Sequence, residues 1–262
     1  MPKLIAFIPH PDDESYSFGG TIALLAKAGW ECFIECASYG ERGKRHDGGP
    51  VTPNAVAEVR EAELEASCEL LGAQPPVFWG LPDGEMRLHR GEHQRIEQLI
   101  SKLRPELLLT LGPDGAYGHP DHIALHRWVF ETWETMADPR PTLLFPVFAG
   151  GLFLPQYEKC RGMMGDPPDP PAEAIGSDRW HYQVPLDGVR KAKLASIAAH
   201  RSQLPGGDPE AIFPPGIVAS LLAIERFDDA SRVAQPWVTE LFAAIWKNPH
   251  TGTDGRATGT GH

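Results

Sequence analysis

Cysteine is scarce in this chain of 262 residues. The sequence has four cysteines and no Cys-x-x-Cys pair. Four thiols in a chain of this length do not make the cysteine-dense framework of a small secreted domain. We therefore expect reduced, mostly buried thiols at Cys32, Cys36, Cys68 and Cys160.

Basic residues are also few relative to acidic ones. The chain has 24 lysines and arginines against 35 aspartates and glutamates, which gives a formal net charge of -11. Lysine and arginine nowhere cluster densely enough to follow a phosphate backbone, so nucleic acid is disfavoured as a partner. A small substrate that is neutral or weakly charged fits this composition better.

Long hydrophobic runs are missing as well. No stretch approaches the roughly 20 apolar residues that cross a bilayer. The first apolar run, residues 4–8, meets a polar loop too soon to form the hydrophobic region and cleavage site of a signal peptide. We therefore expect a cytoplasmic protein with no membrane partner.

Strand-like and helix-like segments alternate over the first 150 residues. Short apolar runs predict strands at 4–8, 31–37, 77–79, 106–111 and 143–148. Helical patterns lie between them, at 15–29, 54–71, 92–103 and 121–136, the second capped by Asn54 and ended by Gly72. This alternation predicts an α/β fold with a doubly wound, mostly parallel, Rossmann-like sheet and helices on both faces.

The pattern loosens beyond residue 150. Only residues 187–200 and 236–246 still read as helices, and residues 251–262 are rich in Gly and Thr. We expect an α/β core at 1–150 and a variable part at 151–250 that completes the fold and covers the pocket. We interpret 251–262 as a flexible tail.

Two loops of this sheet carry an unusual sequence. Pro9-His10-Pro11-Asp12-Asp13-Glu14 follows the first strand, and Gly118-His119-Pro120-Asp121-His122 follows the fourth. Ligands of open α/β sheets bind at the carboxyl ends of strands. Each segment alone could be a turn whose Asp caps the next helix, but two after strands of one sheet argue for a site.

The donor types in the two loops suit a hydrolytic metal. The imidazole of His10 and the carboxylate of Asp13 can converge on one point, and one imidazole from the second loop would complete a His/Asp/His set. Such a set leaves a position open for water, as a catalytic zinc requires. Iron or manganese would also accept these ligands.

Three further side chains of the loops suit the cleavage of an amide. Asp12 stands beside the ligands and could take a proton from the water that zinc activates. His119 could donate to the oxyanion or to the leaving nitrogen, which is a poor leaving group without a proton. Asp121 could hold the His119 ring in place.

At these residues the sequence resembles the PIG-L/LmbE-like family of zinc-dependent de-N-acetylases. The likeness covers about the first 150 residues and includes Ala57-x-x-Arg60-x-x-Glu63 and Leu81-Pro82-Asp83-Gly84. It resumes weakly at Ala199-His200-Arg201-Ser202-Gln203. The paired His-Pro-Asp motifs are its most specific part.

The resemblance implies roles for individual residues. It assigns one Zn²⁺ per chain to His10, Asp13 and His122, and the general base to Asp12. It assigns His119 either to stabilisation of the transition state or to general acid catalysis. It also matches Tyr117 to a tyrosine of the family members that make mycothiol.

Six residues are candidates for substrate binding: Arg60, Asp83, Tyr117, Glu41, Arg42 and His200. Arg60 matches a family arginine near the pocket, but it could equally be a solvated charge paired with Glu61 or Glu63. Asp83 either contacts sugar hydroxyls or forms an Asp-Gly turn. Glu41 and Arg42 lie in a long loop that could wall the pocket. His200 is either on the substrate side or packed in the interior.

We therefore predict a zinc-dependent hydrolase that removes an acetyl group from a small N-acetylglucosamine-type substrate, such as an inositol, malate, chitobiose or antibiotic conjugate. The alternatives are an amidase of a thiol or sugar conjugate and a non-catalytic zinc-binding protein. The resemblance also implies a homo-oligomer.

Overall fold

The computed structural model describes residues 1–247 and places seven strands in one sheet, in the order β3-β2-β1-β4-β5-β7-β6. The strands are β1 (Lys3–Ile8), β2 (Glu31–Cys36), β3 (Val77–Phe78), β4 (Leu107–Leu109), β5 (Thr142–Pro146), β6 (Tyr182–Pro185) and β7 (Ile224–Asp229). The tail predicted at 251–262 lies outside the described residues. All four cysteines are free, as predicted.

Ten α-helices accompany these strands within residues 1–247. They are α1 (Asp13–Ser17), α2 (Gly19–Lys27), α3 (Pro53–Leu71), α4 (His93–Leu103), α5 (Gly115–Gly118), α6 (Pro120–Thr135), α7 (Leu154–Cys160), α8 (Arg190–Ala199), α9 (Ile217–Leu221) and α10 (Pro236–Lys247). Short 3₁₀ turns lie at Met86–Leu88, Arg161–Met163, Ala172–Ala174, Arg201–Gln203, Pro205–Gly207 and Pro209–Ala211.

The sheet is doubly wound and mostly parallel, which confirms the predicted fold class. Strands β1 to β5 pair in parallel, while β7 is antiparallel to both β5 and β6. The chain runs outward from β1 through β2 to β3 and then crosses to β4 on the other side. The order therefore reverses between β1 and β4, and the carboxyl ends of these two strands frame the crevice in which such sheets bind ligands.

Each face of the sheet carries its own hydrophobic core because successive strand residues point to opposite sides. Leu4, Ala6 and Ile8 of β1 pack in one cluster with residues of α2, α3 and α10. Ile5 and Phe7 pack in the other, with residues of α4 and α6. Each fully buried Leu, Ile or Phe contributes about 1.5–3 kcal/mol, so these cores hold the strand ends in fixed positions.

Two helix boundaries differ from the prediction. The helix expected at 15–29 breaks at Phe18, where φ is -151°. The Glu225 carboxylate, which comes from β7, accepts hydrogen bonds from the backbone N–H groups of Gly20 and Thr21 at 2.8 and 2.7 Å. A buried Lys193 pairs with the same carboxylate at 2.6 Å. A partner about 200 residues away therefore fixes the start of α2.

The cap of α3 is also different. Thr52, not Asn54, is the N-cap, because its hydroxyl accepts from the Ala55 N–H while Pro53 takes the first helical position. Gly72 ends the helix in the left-handed conformation at φ 74°, as predicted.

The C-terminal part supplies two strands that the sequence did not predict. In β7 the inward positions belong to Glu225, Phe227 and Asp229, all buried. Because two of these three inward residues are carboxylates, β7 lacks the alternation of apolar and polar residues that predicts a strand. Residues 182–229 thus extend the same sheet, and the predicted domain boundary at 150 stays a prediction.

Candidate active site

The two His-Pro-Asp loops meet at the crevice between β1 and β4. His10 follows β1 directly, while His119 and His122 lie at the start of α6, which follows β4. The ring centroids of His119 and His122 are 4.5 Å apart, and that of His10 lies 4.8 and 5.3 Å from them. The three rings offer nitrogen atoms within 4.8 Å of one another. The predicted convergence of the two loops is therefore present.

Asp13 lies between His10 and His122. Its Oδ2 is 3.3 Å from His10 Nδ1, and its Oδ1 is 3.3 Å from His122 Nε2. His122 Nδ1 donates to the Gly115 carbonyl at 3.1 Å, so the lone pair of its Nε2 faces Asp13. Two imidazole nitrogens and one carboxylate thus converge, which is the donor set of a divalent metal site.

The surroundings of His10 favour positive charge. Its Nε2 lies 3.2 Å from Asp83 Oδ1 and 3.3 Å from Asp121 Oδ2, while Asp13 flanks Nδ1. Burial lowers the pKa of His10, but hydrogen bonds to the three carboxylates outweigh burial and raise this pKa well above 6.5. Burial lowers the pKa of His122 to about 4, which keeps that ligand neutral. The residues present therefore fit a bound metal cation.

Asp12 has a strained backbone and a carboxylate that faces the pocket. Its φ is 115°, outside the range that residues other than glycine ordinarily adopt. The Asp12 N–H donates to Glu14 Oε2 at 3.0 Å, and Arg60 Nη2 donates to Asp12 Oδ2 at 3.0 Å. Burial raises the pKa of Asp12 to about 7, although the Arg60 charge acts against it. A carboxylate that binds and releases a proton near neutrality suits a general base.

His119 is held as a neutral hydrogen-bond donor. It is the N-cap of α6, where its Nδ1 accepts from the backbone N–H of Asp121 at 3.2 Å. The proton of the neutral ring therefore lies on Nε2. Burial, together with the neighbouring imidazoles of His122 and His10, lowers the pKa of His119 well below 6.5. A neutral N–H donor fits the stabilisation of an oxyanion better than the delivery of a full proton.

The structure corrects the role predicted for Asp121. Its backbone N–H holds the His119 ring, but its carboxylate points elsewhere, towards His10 Nε2. The same carboxylate accepts from the N–H groups of Gly84 and Met86 at 2.7 and 3.1 Å. Asp121 therefore orients the candidate metal ligand His10 and ties α6 to the loop after β3.

A pocket of about 350 Å³ opens over these residues. Its floor includes His10, Asp12, Asp13, His119 and His122, and its walls include Arg42, Arg60, Asp83, Met163 and Gln203. Met163 and Gln203 belong to the part of the chain that was predicted to cover the pocket. The walls offer two guanidinium groups, a carboxylate and an amide, which suit a hydroxyl-rich ligand.

Comparison with known proteins identifies the family. The family model described as "GlcNAc-PI de-N-acetylase", PIG-L, matches residues 5–133. A 1D-myo-inositol 2-acetamido-2-deoxy-alpha-D-glucopyranoside deacetylase from Thermomonospora curvata is 31% identical, over 74% of this chain and 78% of the relative. The corresponding deacetylase of Corynebacterium diphtheriae is 32% identical, over 77% and 76%. The chain belongs to the PIG-L family of de-N-acetylases.

Solved structures share the fold. The N,N'-diacetylchitobiose deacetylase of Pyrococcus horikoshii superposes with a TM-score of 0.60 at 22% identity, over 87% of this chain and 83% of that one. A 4-carboxy-2-hydroxymuconate hydratase of Pseudomonas putida gives 0.61 at 20% identity, over 87% and 96%. Because a hydratase has this fold too, the fold alone does not decide the reaction. Family membership confirms the predicted class, an N-deacetylase that hydrolyses an amide.

Arg60 in this PIG-L family member lies at the pocket, the first of its two predicted placements. It is buried, and besides Asp12 it donates to the carbonyls of Gly40 and Pro11. It is not a solvated partner of Glu61 or Glu63, since Glu63 accepts instead from the N–H and hydroxyl of Ser202. Arg60 lines the pocket and also anchors the loop that carries the candidate base.

Asp83 and Glu41 link the other loops around the pocket. Asp83 contacts His10 through Oδ1 and accepts from the Arg42 N–H at 2.9 Å through Oδ2. Its own N–H donates to Glu41 Oε1 at 2.9 Å. The Arg42 side chain pairs with Glu85 and is 56% exposed at the rim. Tyr117 lies beside the two imidazoles of the second His-Pro-Asp loop. Its ring centroid is 5.9 Å from that of His119 and 5.5 Å from that of His122.

His200 lies in the interior behind the pocket and not on its wall, which is the second of its two predicted placements. It is fully buried, and its Nε2 contacts Glu14 Oε1 at 2.9 Å. Sequence reasoning missed Glu14, which also accepts from the Ser67 hydroxyl at 2.5 Å and from the Asp12 N–H. Each residue could be noticed in the sequence, because Glu14 adjoins the first motif and His200 matches a family position. Nothing in the sequence indicates that the two side chains are in contact.

Proposed function

We propose that this protein is a zinc-dependent hydrolase that removes the acetyl group from the nitrogen of a small glucosamine conjugate. The observation that carries the proposal is the convergence of His10, Asp13 and His122 beside Asp12. The relatives named above are deacetylases of an N-acetylglucosaminyl inositol, and we propose the same conjugate as the first substrate to test. No helix within residues 1–247 is long and apolar enough to cross a membrane.

Zinc would be held by His10, Asp13 and His122. When bound, the ion polarises the substrate carbonyl and lowers the pKa of water. Asp83 and Asp121 would support it by fixing the ring of His10 through Nε2.

The remaining chemistry falls to side chains of this chain. Asp12 takes a proton from the attacking water as the new carbon–oxygen bond forms. The Nε2–H of His119 stabilises the negative charge that develops on the carbonyl oxygen. As the carbon–nitrogen bond breaks, Asp12 returns its proton to the nitrogen, and acetate and the free amine leave. Its pKa of about 7 suits both proton transfers.

The polar pocket suits the sugar side of the substrate. Arg42 and Gln203 offer donors at its wall, and Asp83 offers acceptors. We therefore propose that the glucosamine hydroxyls contact this wall while the amide reaches Asp12 and His119. A cytoplasmic location, a homo-oligomeric state and the absence of nucleic-acid partners stay predictions from the sequence.

The decisive experiment combines metal analysis with turnover. The purified protein is analysed for zinc, iron and manganese, and acetate release from N-acetylglucosaminyl inositol is measured before chelation, after chelation and after each metal is restored. We expect activity to fall with chelation and to return with zinc. Absence of acetate release from any N-acetyl sugar conjugate by the zinc-loaded protein would refute the proposal.

A further inference from the structure

A second cavity, of about 110 Å³, adjoins the polar pocket at the candidate active site. We call it the acyl chamber and define it by Tyr16, Tyr117, Phe148, Phe153, Ile212 and Phe213. Both cavities are bounded by Asp12, Asp13, Tyr117 and His122. The proposed base, Asp12, and two of the proposed metal ligands therefore stand at the junction of the two spaces.

Five aromatic rings in the lining of the acyl chamber pack against one another. Phe153 packs edge-on against Phe148 and Phe213, with centroid distances of 4.7 and 5.3 Å. Tyr16 packs against Phe213 at 5.0 Å, and Tyr117 lies 5.9 Å from Phe153. Interlocked rings of this kind hold their shape, because each one restricts the rotamers of its neighbours.

The contrast between the two spaces orients the substrate. Sugar hydroxyls need hydrogen-bonding partners, which the polar pocket supplies through Arg42, Asp83 and Gln203. An acyl chain gains most from apolar walls, and the aromatic rings with Ile212 supply such walls beside the polar Ser17 and Gln156. With the scissile carbonyl at the junction, the amine side lies in the polar pocket and the acyl side in the acyl chamber.

The size of the acyl chamber exceeds what an acetyl group needs. An apolar cavity of about 150 Å³ accommodates a benzene molecule, so 110 Å³ accommodates an aliphatic chain of a few carbons. A single methyl group would leave most of these walls without contacts. Building on the function proposed above, we infer that the enzyme hydrolyses N-acyl groups larger than acetyl, with butanoyl as the best-fitting straight chain.

The test uses glucosaminyl inositol acylated on nitrogen with acetyl, butanoyl or hexanoyl. Every substrate releases the same free amine, so one amine-reactive fluorogenic assay measures kcat/KM for all three. We expect kcat/KM for butanoyl to exceed that for acetyl, since one added methylene in an apolar pocket is worth about 10–200-fold. A butanoyl substrate cleaved less efficiently than the acetyl one would overturn the inference. Failure to cleave any of the three would instead refute the proposed function.

Substitutions in the acyl chamber locate the effect. Ile212→Phe adds bulk to its wall, and we expect the butanoyl-to-acetyl ratio of kcat/KM to fall at least about tenfold. Phe213→Ala removes bulk and should raise the hexanoyl-to-butanoyl ratio. Val233→Phe is the matched control, because it adds a ring to a side chain that is 63% exposed.

Thermal unfolding of each variant establishes that it folds. If Ile212→Phe does not fold, Phe213→Ala carries the test alone, with the opposite sign. A folded variant of either kind that leaves its ratio unchanged would show that the acyl group lies elsewhere and would overturn the inference.

Discussion

The two His-Pro-Asp segments have the same sequence but use their aspartates in opposite ways. In the first loop the aspartate after proline, Asp12, faces the pocket, and its side chain is 17% exposed. In the second loop the corresponding Asp121 is fully buried and turns away from the pocket towards His10. One is placed to exchange protons with the substrate, while the other orients a ligand.

Backbone conformation explains the difference. Asp12 precedes α1 with a φ of 115°, which turns its carboxylate away from the helix that follows. Asp121 lies in the first turn of α6, after the His119 cap, and its carboxylate reaches the loop after β3. A short motif therefore fixes which residues are near the site, and the local backbone decides which of them can react.

The largest expected effect concerns Asp13, which joins the two loops. Asp13→Ala removes the carboxylate that faces both His10 and His122. We expect loss of bound metal and a fall in turnover of at least about 10⁴-fold, because several kcal/mol of charge stabilisation are lost. Elemental analysis and acetate release measure the two effects, and retained metal would show that the ligand set is wrong.

The next effect separates the base from the ligands. Asp12→Ala should retain metal and lose about 10²–10⁴-fold in kcat, the usual contribution of a general base. The measurement is kcat for acetate release at saturating zinc, with metal content determined on the same sample. Asp138→Ala is the control, since that side chain is 88% exposed on a distant loop. Near-normal turnover in Asp12→Ala would assign proton transfer to another group.

The sequence predicted the parallel part of the fold well because its signals are local. The apolar runs of β1 and β4 are buried on both faces, and turn residues separate the strands from the helices. The break at Phe18 could not be predicted, since it depends on Glu225 in β7. The β7 strand itself was hidden because its inner face carries two carboxylates.

The same division applies to the site. Residues next to the motifs, such as His10 and Asp12, could be identified from residue type and spacing. The orientation of a side chain could not, because it depends on partners distant in sequence. Asp121 turns towards the loop after β3, and His200 reaches Glu14 from 186 residues away.

A smaller effect tests the orienting role of Asp121. Asp121→Asn keeps the size of the side chain but removes the charge next to His10 Nε2. Loss of a carboxylate partner of a metal-binding histidine typically costs about 10–100-fold in metal affinity. Competition with a zinc chelator measures this affinity, and Asp83→Asn provides the parallel change on the same nitrogen. If Asp121→Asn reduced kcat at saturating zinc as much as Asp12→Ala, the two aspartates would not differ as the structure indicates.

The smallest effect concerns the support of the Asp12 backbone. Glu14 accepts a hydrogen bond from the N–H of Asp12, whose backbone is strained. Glu14 is itself held by Ser67 and His200, and these three side chains are buried. Glu14→Gln keeps one acceptor but weakens a charge-assisted bond by about 1 kcal/mol, so kcat should fall about fivefold while KM and metal content change little. Steady-state kinetics at saturating zinc measures the two parameters. Ser67→Ala, which removes only one of the partners of Glu14, should have a weaker effect in the same direction. A change confined to KM, or none at all, would mean that the φ of Asp12 is maintained by Arg60 and the proline before it, without help from Glu14.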